Sequence, residues 1–361
     1  MAISLNLAPL VTWGFPIKEP FVIAGPCSAE SREQLLATAE GLAGLPISLL
    51  RAGIWKPRTR PNSFEGVGAP GLAWLKEAGE VAGVPVTTEV ASPQHVEEAL
   101  NAGIDVLWVG ARTTVNPFSV QAIADALKGV DIPVLVKNPI NPDIELWIGA
   151  LERLNQAGLT KLGAIHRGFS SYDQSKYRNR PTWRIPIELR RRIPHLPIIC
   201  DPSHISGNRV LLFGVAQKAL DLTFDGLMIE SHVNPDAALS DAKQQVTPAE
   251  LGRLMAKLEV KRLSSDDDAY KARIDDLRRQ IDALDVQAIE LLAQRMNIAK
   301  EIGFYKKINN IAIFQPERWK ETISSRVESG KSKGLSEEFV MRVYQLIHEE
   351  SIRHQEAGGV E

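Results

Sequence analysis

The sequence predicts an α/β chain in which a (β/α)8 barrel is followed by an all-α three-helix domain, and three observations carry that prediction. Proline divides the chain, since 21 of its 22 prolines lie before position 249 and the last 99 residues hold only Pro316. Before the divide, eight short runs that are apolar throughout are each followed by a helical stretch, as parallel strands buried on both faces require. After it, apolar residues recur with the period of a helix. The length of 361 residues accommodates two or three domains at roughly 150 residues each.

In chain order the predicted strands are Phe21–Ala24, Ser48–Leu50, Val84–Thr88, Val106–Val109, Pro133–Val136, Leu162–Ile165, Pro197–Ile199 and Gly226–Ile229. Eight β-then-α units in some 240 residues match a TIM barrel, with a doubly wound sheet as the alternative. The 20 residues before the first strand are too few for a separate domain and are expected to cap the barrel floor. We place the barrel at 1–262, a polar, acidic linker at 263–269 and the helical domain at 270–361. In that domain Ile274, Leu277, Ile281, Leu284, Ala288, Leu291, Arg295, Ile298 and Ile302 keep 3-4 spacing, which predicts a helix about 45 Å long. Two shorter helices follow, near Pro316–Glu328 with its N-terminal proline and near Ser336–Gln355 after Gly334. So long a helix cannot be covered by its own small domain, which points to a homodimer formed through it.

Charge and composition exclude several function classes. Against 42 Lys and Arg stand 44 Asp and Glu, so no cationic excess marks a nucleic-acid partner. No apolar run approaches the roughly 20 residues that a bilayer needs, and the N-terminus has no signal-peptide pattern, so neither membrane nor export is expected and the cytoplasm is the natural location. The two cysteines, Cys27 and Cys200, cannot form a disulfide framework.

Barrels of this class place their chemistry just past the C-terminal ends of the strands. Those positions read Cys27, Arg51 followed by Lys56 and Arg58, Glu89, Arg112, Lys137, His166 with Arg167, Asp201 with His204, and Glu230. So many converging cations suit two anionic, phosphate-bearing substrates, the bland alternative being a surface salt-bridge network. Cys27, His204, Glu230 and Asp241 combine thiolate, imidazole and carboxylate oxygens, a set for a divalent metal of the Mn, Fe, Co or Zn class rather than Mg or Ca. A lone Cys27 would read as a small buried hydrophobe. His166 is balanced between a phosphate ligand and a packed strand-end histidine. His232 and Cys200 read as structural, Asp201 as an orienter of its neighbours, and Ser63 and Phe64 as loop-shaping residues.

Gly25-Pro26-Cys27-Ser28, Lys56-Pro57-Arg58-Thr59, Gly110-Ala111-Arg112, Val136-Lys137-Asn138-Pro139, His166-Arg167-Gly168, Asp201-Pro202-Ser203-His204 and Glu230-Ser231-His232 together resemble DAHP synthase, in its short subfamily related to KDO8P synthase. That relative typically carries Lys-Ala-Asn-Arg where this chain has Lys-Pro-Arg-Thr, so the resemblance favours erythrose 4-phosphate over a five-carbon sugar phosphate as acceptor. It implies that Arg51, Arg112, Lys137 and Arg167 hold phosphoenolpyruvate, with His166 beside them, and that Lys56, Arg58 and Thr59 hold erythrose 4-phosphate. Glu89 and Lys137 would orient the attacking water, and the metal would polarise the aldehyde.

In the tail, Arg295 occupies a seam position of the long helix, where a buried guanidinium needs an anion. Residues 266–357 resemble the all-helical chorismate mutases through Leu277-Arg278, Ile281-Asp282-Ala283-Leu284-Asp285, Leu291-Leu292-Ala293-Gln294-Arg295, Lys306, Arg318 and Glu350-Ser351-Ile352-Arg353-His354-Gln355. The resemblance implies an intertwined dimer in which Arg278 of one subunit joins Arg295, Lys306, Arg318, Ser351 and Gln355 of the other around chorismate. Lys306 and Gln355 would meet the ether oxygen as prephenate forms. Trp319 and Gln315 depart from acidic residues at the matching places. The leading expectation is therefore a bifunctional enzyme. Its rival is a synthase whose tail only dimerises and senses chorismate-derived ligands, and tail binding is expected to throttle the barrel in either case.

Overall fold

The computed structural model describes residues 3–57, 63–172 and 175–357. The chain divides into two compact units, Met1–Leu263 and Ser264–Glu361. Among the described residues no helix is long and apolar enough to cross a membrane.

In the first unit the strands are β1 (Phe21–Gly25), β2 (Leu49–Arg51), β3 (Val86–Val90), β4 (Val106–Val109), β5 (Val134–Lys137), β6 (Leu162–His166), β7 (Ile198–Cys200) and β8 (Gly226–Glu230). They pair in chain order, every pair parallel, and β1 pairs with β8 to close the barrel, with Ile23 opposite both Leu49 and Met228. The TIM-barrel prediction is borne out, and the doubly wound alternative is not. Several strands run a residue past their predicted ends, bringing Gly25, Arg51, Lys137, His166, Cys200 and Glu230 into the sheet. The third strand is the largest difference, starting at Val86 rather than Val84, because Pro85 has no amide hydrogen for the ladder.

The strand period of two sorts the barrel into two cores. Phe21, Ile23, Leu49, Val106, Trp108, Leu135, Ile165, Ile199 and Met228 fill the interior, closed at one end by Trp13 from the N-terminal segment. The opposite parity, including Val22, Ala24, Leu50, Val136, Ala164 and Ile229, packs outward against the helices. Continuing the inward parity by one step along β2, β3, β5, β7 and β8 reaches Arg51, Glu89, Lys137, Asp201 and Glu230, so the alternation that packs the interior also delivers charged groups to the C-terminal mouth.

The helices of this unit are α1 (Arg32–Leu42), α2 (Pro70–Ala82), α3 (Pro93–Asn101), α4 (Ala111–Thr114), α5 (Pro117–Ala126), α6 (Ile144–Gln156), α7 (Arg184–Arg192), α8 (Pro202–Ser206), α9 (Arg209–Asp221) and α10 (Pro248–Met255). Their starts are chemically marked. Ser31, Ser92, Asn116, Asp143 and Asn208 accept backbone N–H groups of the first turn, and Thr247 with Glu250 forms a capping box. Short α4 and α8, which the sequence pattern is too brief to reveal, sit directly after β4 and β7 and orient Arg112 and His204.

In the second unit α11 (Asp268–Ile308), α12 (Pro316–Ser332) and α13 (Glu337–Ala357) form the expected helical domain. The long helix is capped by Asp267, inside the stretch read as linker, and at 41 residues it is about 60 Å long. Gly303 lets α13 approach, because a Cβ there would collide with the Gln355 carbonyl. Only Met296, Ala299 and Gly303 of α11 are buried, while Leu277, Ile281 and Leu284 lie exposed on its first half and Leu291 just beyond the middle.

Candidate functional site

The mouth of the barrel gathers two sets of groups. Gly25 ends β1 at φ 143° against the Arg51 carbonyl, a place no side chain could occupy, and the chain then turns to bury Cys27. The Cys27 amide donates to Gln245 Oε1 at 2.9 Å, while its sulfur lies 3.3 Å from Asp241 Oδ2 and 3.0 Å from Lys56 Nζ. Glu230 ends β8 with its amide donating to Ser203 Oγ at 2.9 Å. Its Oε2 accepts from Gln244 Nε2 at 2.8 Å, and its buried Oε1 has no hydrogen-bond partner among the described residues. Ligand atoms of Cys27, Glu230 and Asp241 all lie within 4.8 Å of one another. His204 borders them, with Nε2 3.9 Å from Asp241 Oδ2 and Nδ1 3.7 Å from Glu230 Oε1. Nδ1 also lies 2.8 Å from Asp201 Oδ2, which fixes the ring.

Electrostatics agree with a cation site. Burial, with Glu230 and Asp241 nearby, pushes the Cys27 thiol up to about 12, so without a cation it keeps its proton. Burial also lowers His204, leaving a neutral imidazole free to ligate. Burial works against ionisation of Glu230 and Asp241, yet at the low pH where they titrate the protonated His204, together with Arg51 for the first and Arg178 for the second, holds both low. An orphaned buried carboxylate oxygen, a thiol, an imidazole and a second carboxylate fit a borderline divalent cation.

Beside this set opens a pocket lined by Lys56, Glu89, Arg112, Lys137, Arg167, Arg178, His204 and Asp241, with Pro57 and Ala111. Lys137 Nζ lies 2.8 Å from Asp201 Oδ2, so Asp201 orients both Lys137 and His204. Arg167 donates from Nη1 to Asn179 Oδ1 at 2.8 Å, and burial lowers its pKa to about 10. Glu89 accepts the indole N–H of Trp108 at 3.0 Å. Arg51 is buried and does not line the pocket; it reaches the Cys27 carbonyl at 3.2 Å and Glu230 Oε1 at 3.4 Å. Arg58 and Thr59 lie outside the described residues.

His166 requires a correction. It follows inward-facing Ile165 on β6 and therefore points to the helices, where Trp147, Phe169, Trp183 and Phe224 surround it with ring centroids 5.3 to 6.3 Å away. Burial drives its pKa down to about 3, and a neutral, fully enclosed ring does not reach the pocket. Arg178 is the functional side chain that reading strand ends missed. It comes from the long segment between β6 and α7 and meets Asp241 Oδ1 at 2.8 Å and Gln244 Oε1 at 2.7 Å. Its only sequence signal is the basic character of that segment. Trp108 was also missed, although counting inward parity along β4 finds it.

The second unit has its own pocket, between α11, α12 and α13, lined in part by Arg295, Lys306, Arg318, Arg326, Ser351 and Gln355. Four cations and no carboxylate line it, which is the composition of an anion site. Arg295 touches Ser351 Oγ, Lys306 Nζ donates to Gln355 Oε1 at 3.0 Å, and burial lowers the pKa of both cations. Trp319 stacks on His348 with centroids 4.1 Å apart along one wall. Arg278, on the N-terminal half of α11, is absent from this lining, and its side chain is 72% exposed.

Comparison with known proteins finds a family match for each of the two units. Residues 18–264 match the model of the DAHP synthetase I family, and residues 277–356 match chorismate mutase type II. A phospho-2-dehydro-3-deoxyheptonate aldolase of Thermotoga maritima is 35% identical over 225 residues, covering 62% of this chain and 64% of that protein. A 2-dehydro-3-deoxyphosphooctonate aldolase of Syntrophobacter fumaroxidans is 28% identical over 285 residues, covering 72% of this chain and 93% of that one. The crystal structure of a DAHP synthase from Thermotoga maritima superposes with a TM-score of 0.59 at 32% identity, covering 66% of this chain and 67% of that chain.

Proposed function

Since the chain belongs to the DAHP synthetase I family and also carries a chorismate mutase type II domain, we propose that it condenses phosphoenolpyruvate with erythrose 4-phosphate at the barrel mouth and rearranges chorismate to prephenate in the helical unit. The single observation that carries the barrel reading is the meeting of two groups at one mouth, a thiol and two carboxylates bordered by the His204 imidazole, beside a pocket lined by five cations.

Arg112, Lys137 and Arg167 bind the phosphate and carboxylate of phosphoenolpyruvate, and Lys56, with Arg58 and Thr59, binds the acceptor phosphate. Arg51 works from behind the lining, holding the Cys27 carbonyl and Glu230 in place. Cys27, His204, Glu230 and Asp241 would hold a divalent cation, which when bound supplies Lewis-acid polarisation of the acceptor aldehyde. The methylene carbon of phosphoenolpyruvate forms a bond to the aldehyde carbon while the aldehyde π pair moves onto its oxygen, which takes up a proton from solvent, and the central carbon of phosphoenolpyruvate is left electron-deficient. Glu89 takes a proton from the water that adds there, Lys137 orients that water, and phosphate departs with its bridging oxygen. Lys-Pro-Arg-Thr at 56–59 favours the four-carbon acceptor.

In the helical unit Arg295 and Arg318 clasp the carboxylates of chorismate, Ser351 supports Arg295, and Lys306 with Gln355 meets the ether oxygen. The rearrangement is unimolecular, so holding the reactive conformer and offsetting its charge suffice. Arg278 of a partner subunit completes the pocket, which makes the enzyme a homo-oligomer paired through α11, as the uncovered Leu277, Ile281, Leu284 and Leu291 support. One observation favours a second reading, a tail that binds chorismate-derived ligands without turning them over: Trp319, packed on His348, offers an apolar wall where the resemblance implies a carboxylate.

The test is phosphate release from the two substrates before and after chelation and metal return, run beside chorismate consumption. Both activities are expected, only the first being lost to the chelator. Undiminished phosphate release after exhaustive chelation would overturn the metal assignment, and absent chorismate consumption would leave the sensing tail. In either case saturating prephenate is expected to slow phosphate release.

A further inference from the structure

Resting on the condensation assigned to the barrel mouth, we propose that Trp108 is a positioning residue whose N–H sets Glu89 and whose ring face sets Arg51 and Lys137. Trp108 lies on β4 with inward parity and is fully buried in the barrel interior. Its indole Nε1 donates to Glu89 Oε2 at 3.0 Å. The Arg51 guanidinium carbon lies over its ring at 5.0 Å from the centroid, and Lys137 Nζ at 5.7 Å. One side chain thus touches functional groups from β2, β3 and β5, and no other interior aromatic does so among the described residues.

The chemistry explains why a large aromatic with a donor stands where an aliphatic would fill the space. Arg51 is buried, and among the described residues its Nε and Nη1 have no hydrogen-bond acceptor. Its charge is met by Glu230, 3.4 Å away, and by the electron-rich ring face. Lys137 is held from one side by Asp201 at 2.8 Å and flanked on another by the same ring, which limits where its ammonium can point. Glu89 is the proposed proton acceptor, and the indole N–H engages one carboxylate oxygen so that the other remains for water. The N–H therefore serves turnover, whereas the ring face serves phosphoenolpyruvate binding through Lys137, which lines the pocket, and backs Arg51, which holds the wall behind it.

Two substitutions separate these parts. Trp108→Phe keeps a ring face and loses the N–H, so kcat is expected to fall about tenfold or more while the KM for phosphoenolpyruvate stays within about threefold. Trp108→Leu loses both, and the KM is expected to rise about tenfold as well. Because N–H and carboxylate act through one bond, Trp108→Phe combined with Glu89→Gln should be no slower than Glu89→Gln alone. A merely structural role would give multiplicative losses in the double variant, and that result, or native kcat in Trp108→Phe, would overturn the assignment. Should Trp108→Leu fail to fold, the Phe variant and the double-variant cycle still decide. A native chain that does not condense the substrates would instead sink the functional reading, an outcome separate from a native chain that condenses them while Trp108→Phe keeps its kcat.

Discussion

Cation binding at the barrel mouth is expected to release one proton, and Cys27 is its source. The thiol sits near a pKa of about 12, so at neutral pH only about one molecule in 100,000 carries the thiolate. Expelling that proton at pH 7 costs about 7 kcal/mol, from roughly 1.4 kcal/mol for each of about five pH units, and the metal–thiolate bond must exceed it. The other ligands add no slope above about pH 6.5, because His204 is lowered from its ordinary value and is already neutral, and Glu230 and Asp241 are held low and already ionised. Lys56, 3.0 Å from the sulfur, has its pKa raised and keeps its charge. Affinity should therefore rise tenfold per pH unit, about thirtyfold between roughly pH 6.5 and 8. Competition against a chelating indicator at several pH values measures this directly. Cys27→Ala should bind more weakly and without that slope. A flat profile in the native chain, or a tenfold slope surviving in Cys27→Ala, would refute the thiol as a proton-releasing ligand.

Other expectations follow from the same geometry. A Cβ at Gly110 would collide with the Glu89 carboxylate, so Gly110→Ala should cut condensation about a hundredfold while cation affinity, measured by the same indicator, stays native. Arg295→Ala removes the cation against Ser351 and should lower chorismate turnover at least about a hundredfold, with barrel cation binding unchanged. Arg278→Ala and Arg295→Ala chains, each inactive on chorismate alone, should regain partial activity when refolded together, because one pocket of the mixed dimer receives both arginines; no recovery would contradict a shared pocket. Phosphoenolpyruvate labelled with heavy oxygen at the bridging position should pass its label to the released phosphate, read by mass, because water attacks carbon; label retained in the sugar product would exclude that route.

The fold was legible because two physical signals were strong, uninterrupted apolar runs for strands buried on both faces and an unbroken 3-4 spacing along α11. What escaped shows where such signals end. Helices α4 and α8 hold four and five residues, too short for any period to register. The end of β6 leaves His166 open to two readings, and its parity, which Ile165 fixes as outward, decides for the packed histidine against the substrate contact that the resemblance implies. The same parity, read forward from Val106, leads to Trp108. Arg178 was hidden by topology, since its partners Asp241 and Gln244 lie more than 60 residues away in a different loop. The seam position of Arg295 was visible in the helical period, but its contact with Ser351 depends on how α13 returns along α11.

The most direct measurement offers the metal-loaded full chain phosphoenolpyruvate with erythrose 4-phosphate and arabinose 5-phosphate in equal amounts and weighs the phosphorylated products. A seven-carbon product formed in large excess, together with phosphate, is the predicted result. A predominantly eight-carbon product, or phosphoenolpyruvate left intact, would contradict the assignment of this mouth.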